Sequence, residues 1–158
     1  MTQAIPTSFK AEILQGIHDS ADTYKIALYT SASTLDATAT AYTTTNEVSG
    51  VGYTSGGQTL SGFSVTTSGT TAILDFNDPV WTNATITARG ALIYNSSKSN
   101  KAVYIFDFGS DIISTSGDFT IIFPTFVFSP VWRNAALLLI TKLPVPLTVT
   151  ASPTTNVW

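Results

Sequence analysis

Cysteine is absent from the chain, so no disulfide braces the fold, and thiolate catalysis and Cys-ligated metal sites are excluded. Histidine occurs once, as His18. One imidazole cannot assemble a zinc site that needs several His or Cys ligands. It would also have to serve any Ser/His/Asp triad alone, and no Gly-x-Ser-x-Gly elbow accompanies it. Charge is scarce too: 11% of residues are Asp, Glu, Lys or Arg, against roughly 25% in an average globular domain. The seven Lys and Arg are scattered and the net charge is −3, so no basic stripe for nucleic acid is expected. No apolar run approaches the ~20 residues of a membrane span. Residues 135–140 are apolar but short, and Arg133 and Lys142 flank them. The opening residues 1–6 have neither a basic nor an apolar region and do not read as a secretory signal.

What is present is apolar and hydroxylated. Hydrophobic residues make up 44% of the 158 positions and the mean hydropathy is +0.24. Much of the remainder is Thr, Ser, Gly and Asn. A lone soluble protein usually keeps a more charged exterior. Either neighbouring subunits cover much of this surface, or a small β-domain uses hydroxyls where others use charges.

Along the chain, residues 8–17 fit one short amphipathic helix. Phe9, Ile13, Leu14 and Ile17 share a face, and Thr7 or Ser8 is placed to cap the start. From residue 23 the period becomes two. Tyr24, Ile26 and Leu28 alternate with Lys25, Ala27 and Tyr29, as in a strand with one apolar side. An edge strand is expected near residues 40–44, and an exposed loop over the glycine-rich residues 48–57. Residues 58–67 and 70–77, joined at Ser68 and Gly69, carry a hairpin signal. Residues 84–95 alternate around Gly90, which suggests a bulge or a close backbone approach. A polar turn over 95–100 leads into 101–109, whose two faces are both apolar and which therefore reads as central. A turn at 114–117 and a strand over 118–123 follow.

Seven to nine strands at short spacing favour a mostly β fold, an antiparallel sandwich or jelly-roll-like barrel, with one N-terminal helix. The expected organisation is an N-terminal segment over 1–22, a β-domain over 23–142 and an extended C-terminal arm over 143–158. Prolines 144, 146 and 153 oppose central pairing in the arm, although 145–150 could add as an edge strand. The arm would lie on another subunit or on the domain's own flank. Candidate interface anchors are Phe9, Trp132, Leu143, Val145, Leu147, Val149 and Trp158, apolar side chains with Trp favoured at binding hot spots.

Few residues suggest chemistry. Asp75 with Asp78, and Asp107 with Asp111, bracket strand ends and could bind Ca²⁺ or form a glycosidase pair if the ends meet. Asx turns are the ordinary explanation for such residues. The glycines at 50–57 lack the Lys and following helix of a phosphate loop. Most aromatics sit on expected strands, where core packing competes with an aromatic platform for sugars. No catalytic residue, metal or cofactor is assigned.

Several stretches carry a resemblance: SFKAEILQGIHD at 8–19, DTYKIALYT at 22–30, AYTTTNEVSG at 41–50 and GYT at 52–54. ARGALIYN at 88–95, FDFG at 106–109 and GDFTIIFP at 117–124 continue it in the same order. Over residues 7–124 the chain resembles a family of small tailed-bacteriophage virion proteins. The resemblance implies a non-catalytic particle component and, within that class, a capsid decoration or cement protein. Such a protein would be a dimer or trimer on the phage head, assembled in the host cytoplasm, and would bridge subunits of the major capsid protein. A neck, tail or fibre-attachment protein is one alternative, and a carbohydrate-binding module on the virion surface is another. The family pattern closes near 134–140, so the extension over 141–158 departs from it.

Overall fold

The computed structural model describes residues 1–123 and 148–152. It is mostly β and antiparallel. One helix, α1 (Thr7–Leu14), precedes β1 (Tyr24–Tyr29), β2 (Gln58–Thr59), β3 (Ser64–Ser68), β4 (Thr71–Asp75), β5 (Val80–Asn95), β6 (Lys101–Ile122) and β7 (Thr148–Ser152). Five strands form one sheet in the order β2-β1-β5-β6-β7, while β3 and β4 form a separate hairpin.

The sheet is apolar on both sides, and each side has its own cover. Tyr24, Ile26 and Leu28 of β1 face a larger core that includes Phe9, Val48, Leu60, Phe76, Trp81 and Phe119. The opposite face was expected to be the more polar one, yet Ala27 and Tyr29 are fully buried there with Leu92, Tyr94, Ala102 and Ile105. Met1, Leu35, Ala39 and Tyr42 pack over that second cluster. The result is sandwich-like, but the helix, the loops and the N-terminal residues supply much of the covering layers.

Strand parity is reset by bulges, so simple alternation does not carry through β5 and β6. The register of β5 against β6 shifts between Ala88 and Gly90. Ile86 and Ala88 therefore share the larger core with Ala91 and Ile93, while Leu92 joins the smaller one. A one-residue slip turns every following side chain over. A second shift, between Ile93 and Tyr94, leaves Val103 unpaired opposite them and places both Val103 and Tyr104 on the larger core. Gly90 is required at the first shift, because a Cβ there would meet the Phe106 carbonyl oxygen and the Met1 sulfur.

Other expectations change for local reasons. The two strands expected over 101–109 and 118–123 are one 22-residue strand. Gly109 and Ser116 take positive φ within it, where the β5–β6 register shifts between Asp107 and Ile112 and between Ser114 and Gly117, so the chain bulges there and the ladder resumes beyond. Residues 40–44 contribute one isolated bridge, Ala41 to Lys101, rather than a strand. The helix begins at Thr7, its N-cap is Pro6, and no side chain caps it. Its buried residues are Phe9 and Glu12, whereas Leu14 is 81% exposed. The hairpin is present, with Gly69 and Thr70 between the paired Ser68 and Thr71.

Part of the expected C-terminal arm joins the sheet. Residues 148–152 pair antiparallel with 118–122 of β6, so this piece lies on the domain's flank as an edge strand. Trp132, Leu143, Val145, Leu147 and Trp158 lie outside the described residues.

Candidate interaction surface

The described ionisable groups mostly fasten loops. Glu12 of α1 is 7% exposed. Its Oε1 accepts from Lys101 Nζ at 2.6 Å and its Oε2 lies 2.9 Å from His18 Nε2. Asn95 fixes the imidazole from the other side. Its Oδ1 accepts from the Ser97 N–H, which sets the amide orientation. Its Nδ2 then donates to Asp22 Oδ2 at 2.8 Å and to His18 Nδ1 at 3.0 Å. An Nδ1 that accepts carries no proton, so His18 is the neutral tautomer with Nε2–H donating to Glu12. Lys98 closes the far end on Asp22 at 3.3 Å. This chain of contacts ties α1 and the segment before β1 to the β5–β6 turn. Burial pushes the Glu12 carboxyl up, but the Lys101 and His18 contacts outweigh it and hold the group below its ordinary range. Both His18 nitrogens are engaged, and Phe9 stands edge-on to its ring with centroids 4.8 Å apart.

A second node was not anticipated from the sequence. Glu47 Oε1 accepts from the Tyr53 hydroxyl and the Gly56 N–H, both at 2.7 Å. Its Oε2 accepts from the Tyr42 and Ser55 hydroxyls, also at 2.7 Å. Tyr53 in turn accepts from the Leu28 N–H at 2.9 Å, and Tyr94 donates to the Gly56 carbonyl. Burial first, and the Glu47 charge with it, raises the Tyr53 phenol well above its ordinary value. Burial likewise pushes Tyr94 up to about 12. These phenols remain donors at neutral pH. Residues 48–57 form a loop that is exposed at 49–52 and 54–55, as expected, but Val48, Tyr53 and Gly56 anchor it to the sheet. Gly57 contacts the Ile26 backbone, where a Cβ would collide, and has φ +67. The signal available in the sequence was one acid between two tyrosines in a stretch without a base.

The aspartates have local work. Asp75 Oδ1 accepts from the Phe76 N–H and Asp78 Oδ1 from the Phe123 N–H. Asp107 Oδ1 accepts from Arg89 Nε at 3.0 Å and from the Gly109 N–H. Among the described residues no group of three or more His, Cys, Asp or Glu is placed to hold a metal. Among them, too, no helix is long and apolar enough to cross a membrane.

The surface then offers hydroxyls and isolated apolar side chains. A shallow groove of about 260 Å³ is lined by Thr30, Ser49, Thr85, Thr87, Ile113 and Thr115. Val51 is 71% exposed and Ile113 61%; they pair with Thr85 and Thr87 of β5, so they border the same threonine-bearing face. The β3–β4 hairpin exposes Val65 at 62% and Leu74 at 37%, which are paired across the ladder. Of its ten strand positions only Ile73 is buried. No residue from Val48 to Leu74 is charged.

Of the interface anchors expected from the sequence, Phe9 is corrected: it is 6% exposed and belongs to the chain's own core. Val149 lies on β7 opposite Ile121. The described aromatics pack on the two clusters, and no Trp, Tyr or Phe is among the exposed large hydrophobics. Tyr42, Phe63, Tyr104 and Phe108 are half-buried. No family model matches the chain, and no curated protein or solved structure is significantly similar to it.

Proposed function

We propose that this protein is a non-enzymatic structural component of a bacteriophage particle, and specifically a capsid decoration protein that bridges neighbouring capsid subunits. The observation that carries the reading is the combination of a firmly fastened, doubly covered sheet with an exterior of threonines, serines and lone apolar residues. The ordered resemblance of residues 7–124 to small tailed-phage virion proteins supports it. Charged surfaces keep single proteins apart, whereas a weakly charged one suits occupancy by other subunits. Each contact need only be weak. Repetition over a symmetric shell supplies the strength through effective concentration.

Copy number tests this. Quantitative mass spectrometry of purified particles should find the chain in proportion to the major capsid protein. A handful of copies, located by labelling at one vertex, would replace the shell reading with a neck, tail or fibre-attachment role. Purified protein that binds neither shells nor tails would end both.

A further inference from the structure

Among the described residues, the β3–β4 hairpin is the part whose own contacts explain it least. It pairs with no other described strand, and nine of its ten strand residues are not buried. Two-stranded hairpins are marginal in water and gain stability from a third strand. Proteins that keep such edges apart place Lys, Pro or a bulge on them. Here the five pairs from Ser64↔Asp75 to Ser68↔Thr71 run without a register shift, and β3 contains neither a charge nor a proline. Its base, by contrast, is held in place. Phe63 and Phe76 pack against Tyr24 at 5.4 Å each, and Asn77 donates its N–H to the Ser61 carbonyl.

We infer that β3 is a self-pairing edge: two copies of this chain join by antiparallel β3–β3 contact around a two-fold axis centred on Thr66. A second copy suits this edge on charge grounds. The chain carries net charge −3, so like molecules meet most cheaply where neither brings a carboxylate, and β3 is wholly neutral. The sequence is also self-complementary in that register. Ser64 would oppose Ser68, Val65 would oppose Thr67, and Thr66 would face its own copy. β-Branched pairs of this kind are favourable across strands. Within each hairpin Val65 pairs with Leu74 and Thr67 with Ala72. The four-stranded sheet would thus carry one continuous row, Leu74–Val65–Thr67–Ala72, across the axis. A five-residue ladder buries less than the ~1,200 Å² of a stable standard interface, so the dimer is weak in isolation. This inference concerns the free protein and does not depend on a phage shell as the target.

Sedimentation velocity of the full chain over a wide concentration range tests it, with amide exchange as a second measurement. The expected result is reversible dimerisation. Protection of the amides of β3 should rise with concentration, with no matching rise along β4. Thr66→Lys puts two ammonium groups face to face at the axis and should weaken dimerisation at least tenfold. Val51→Lys, on the separate threonine-bearing face, should leave dimerisation unchanged. A chain that stays monomeric throughout overturns the inference. So does dimerisation that survives Thr66→Lys or disappears with Val51→Lys. If Thr66→Lys fails to fold, the exchange pattern of the unsubstituted protein decides alone: protection outside β3 refutes the contact.

Discussion

Replacing Glu12 by alanine should destabilise the protein far more than an exposed helix position would. The carboxylate is 7% exposed and receives both Lys101 and His18. Lys101 has a side chain 34% exposed and can return to water. His18 cannot, since its side chain is 5% exposed and Asn95 occupies Nδ1. Its Nε2–H would then be an orphan donor, which costs about 1–3 kcal/mol. Breaking a buried charged pair by removing one partner costs about 3–5 kcal/mol. The solvent access of Lys101 and the helix propensity of alanine place the expected loss near about 3 kcal/mol. For a chain of this size that is roughly 6–12 °C in Tm. Glu12→Gln keeps one acceptor and should lose about half as much. Lys101→Met leaves the His18 contact intact and should cost less than Glu12→Ala. Urea unfolding at pH 7 reads these values, with an unchanged m-value showing that the denatured state is not the cause. A Glu12→Ala loss below about 1 kcal/mol, or equal losses for Ala and Gln, would refute the account of the network.

The remaining expectations can be measured on the same protein. Glu47→Ala strips the acceptor from four donors and should cost about 3 kcal/mol or more, with faster amide exchange at Gly56 as its local sign. Gly57→Ala, at φ +67 and against the Ile26 carbonyl, should lower Tm clearly, whereas substitution of Gly69, with nothing near it, should cost only its backbone strain. Glu12, Asp22 and Asp107 have carboxyls held below their ordinary values of 4.5, 3.8 and 3.8, because their lysine, asparagine, arginine and backbone partners outweigh the upward push of burial. Their stabilisation is therefore fully present above those values and is lost as pH falls through the lowered ones, so a urea midpoint that stays flat from pH 5 down to about pH 2 would contradict the assignments. Deletion of residues 143–158 removes β7 from Asp118–Ile122. It should leave the sheet folded at a cost of about 1–3 kcal/mol and, on the proposed function, weaken attachment to particles.

How much could be read beforehand depended on the kind of signal. Alternation in β1, the hairpin around Gly69 and the polar turn over 95–100 are local, and local chemistry specifies them. Gly90 was legible as a bulge or a close approach and is both. Which face each later residue takes was not legible, because parity after a bulge depends on the partner strand. The helix face failed for a related reason. Hydrophobic spacing favours Ile13 and Leu14, but the acid Glu12 is drawn inward by Lys101, 89 positions away. Glu47 likewise depends on tyrosines that only the folded loop brings together. In both cases the deciding partner is distant or conformational, and a charged residue has no hydrophobic period to betray its burial.

The pairing of β7 has a consequence for what this scaffold can carry. Ile122 and Thr148 are direct partners, so these two positions, 26 apart in sequence, lie side by side in the ladder. Closure entropy grows only logarithmically, by about 0.6 kcal/mol per doubling of length. Lengthening the connection between those two points would therefore burden the host little.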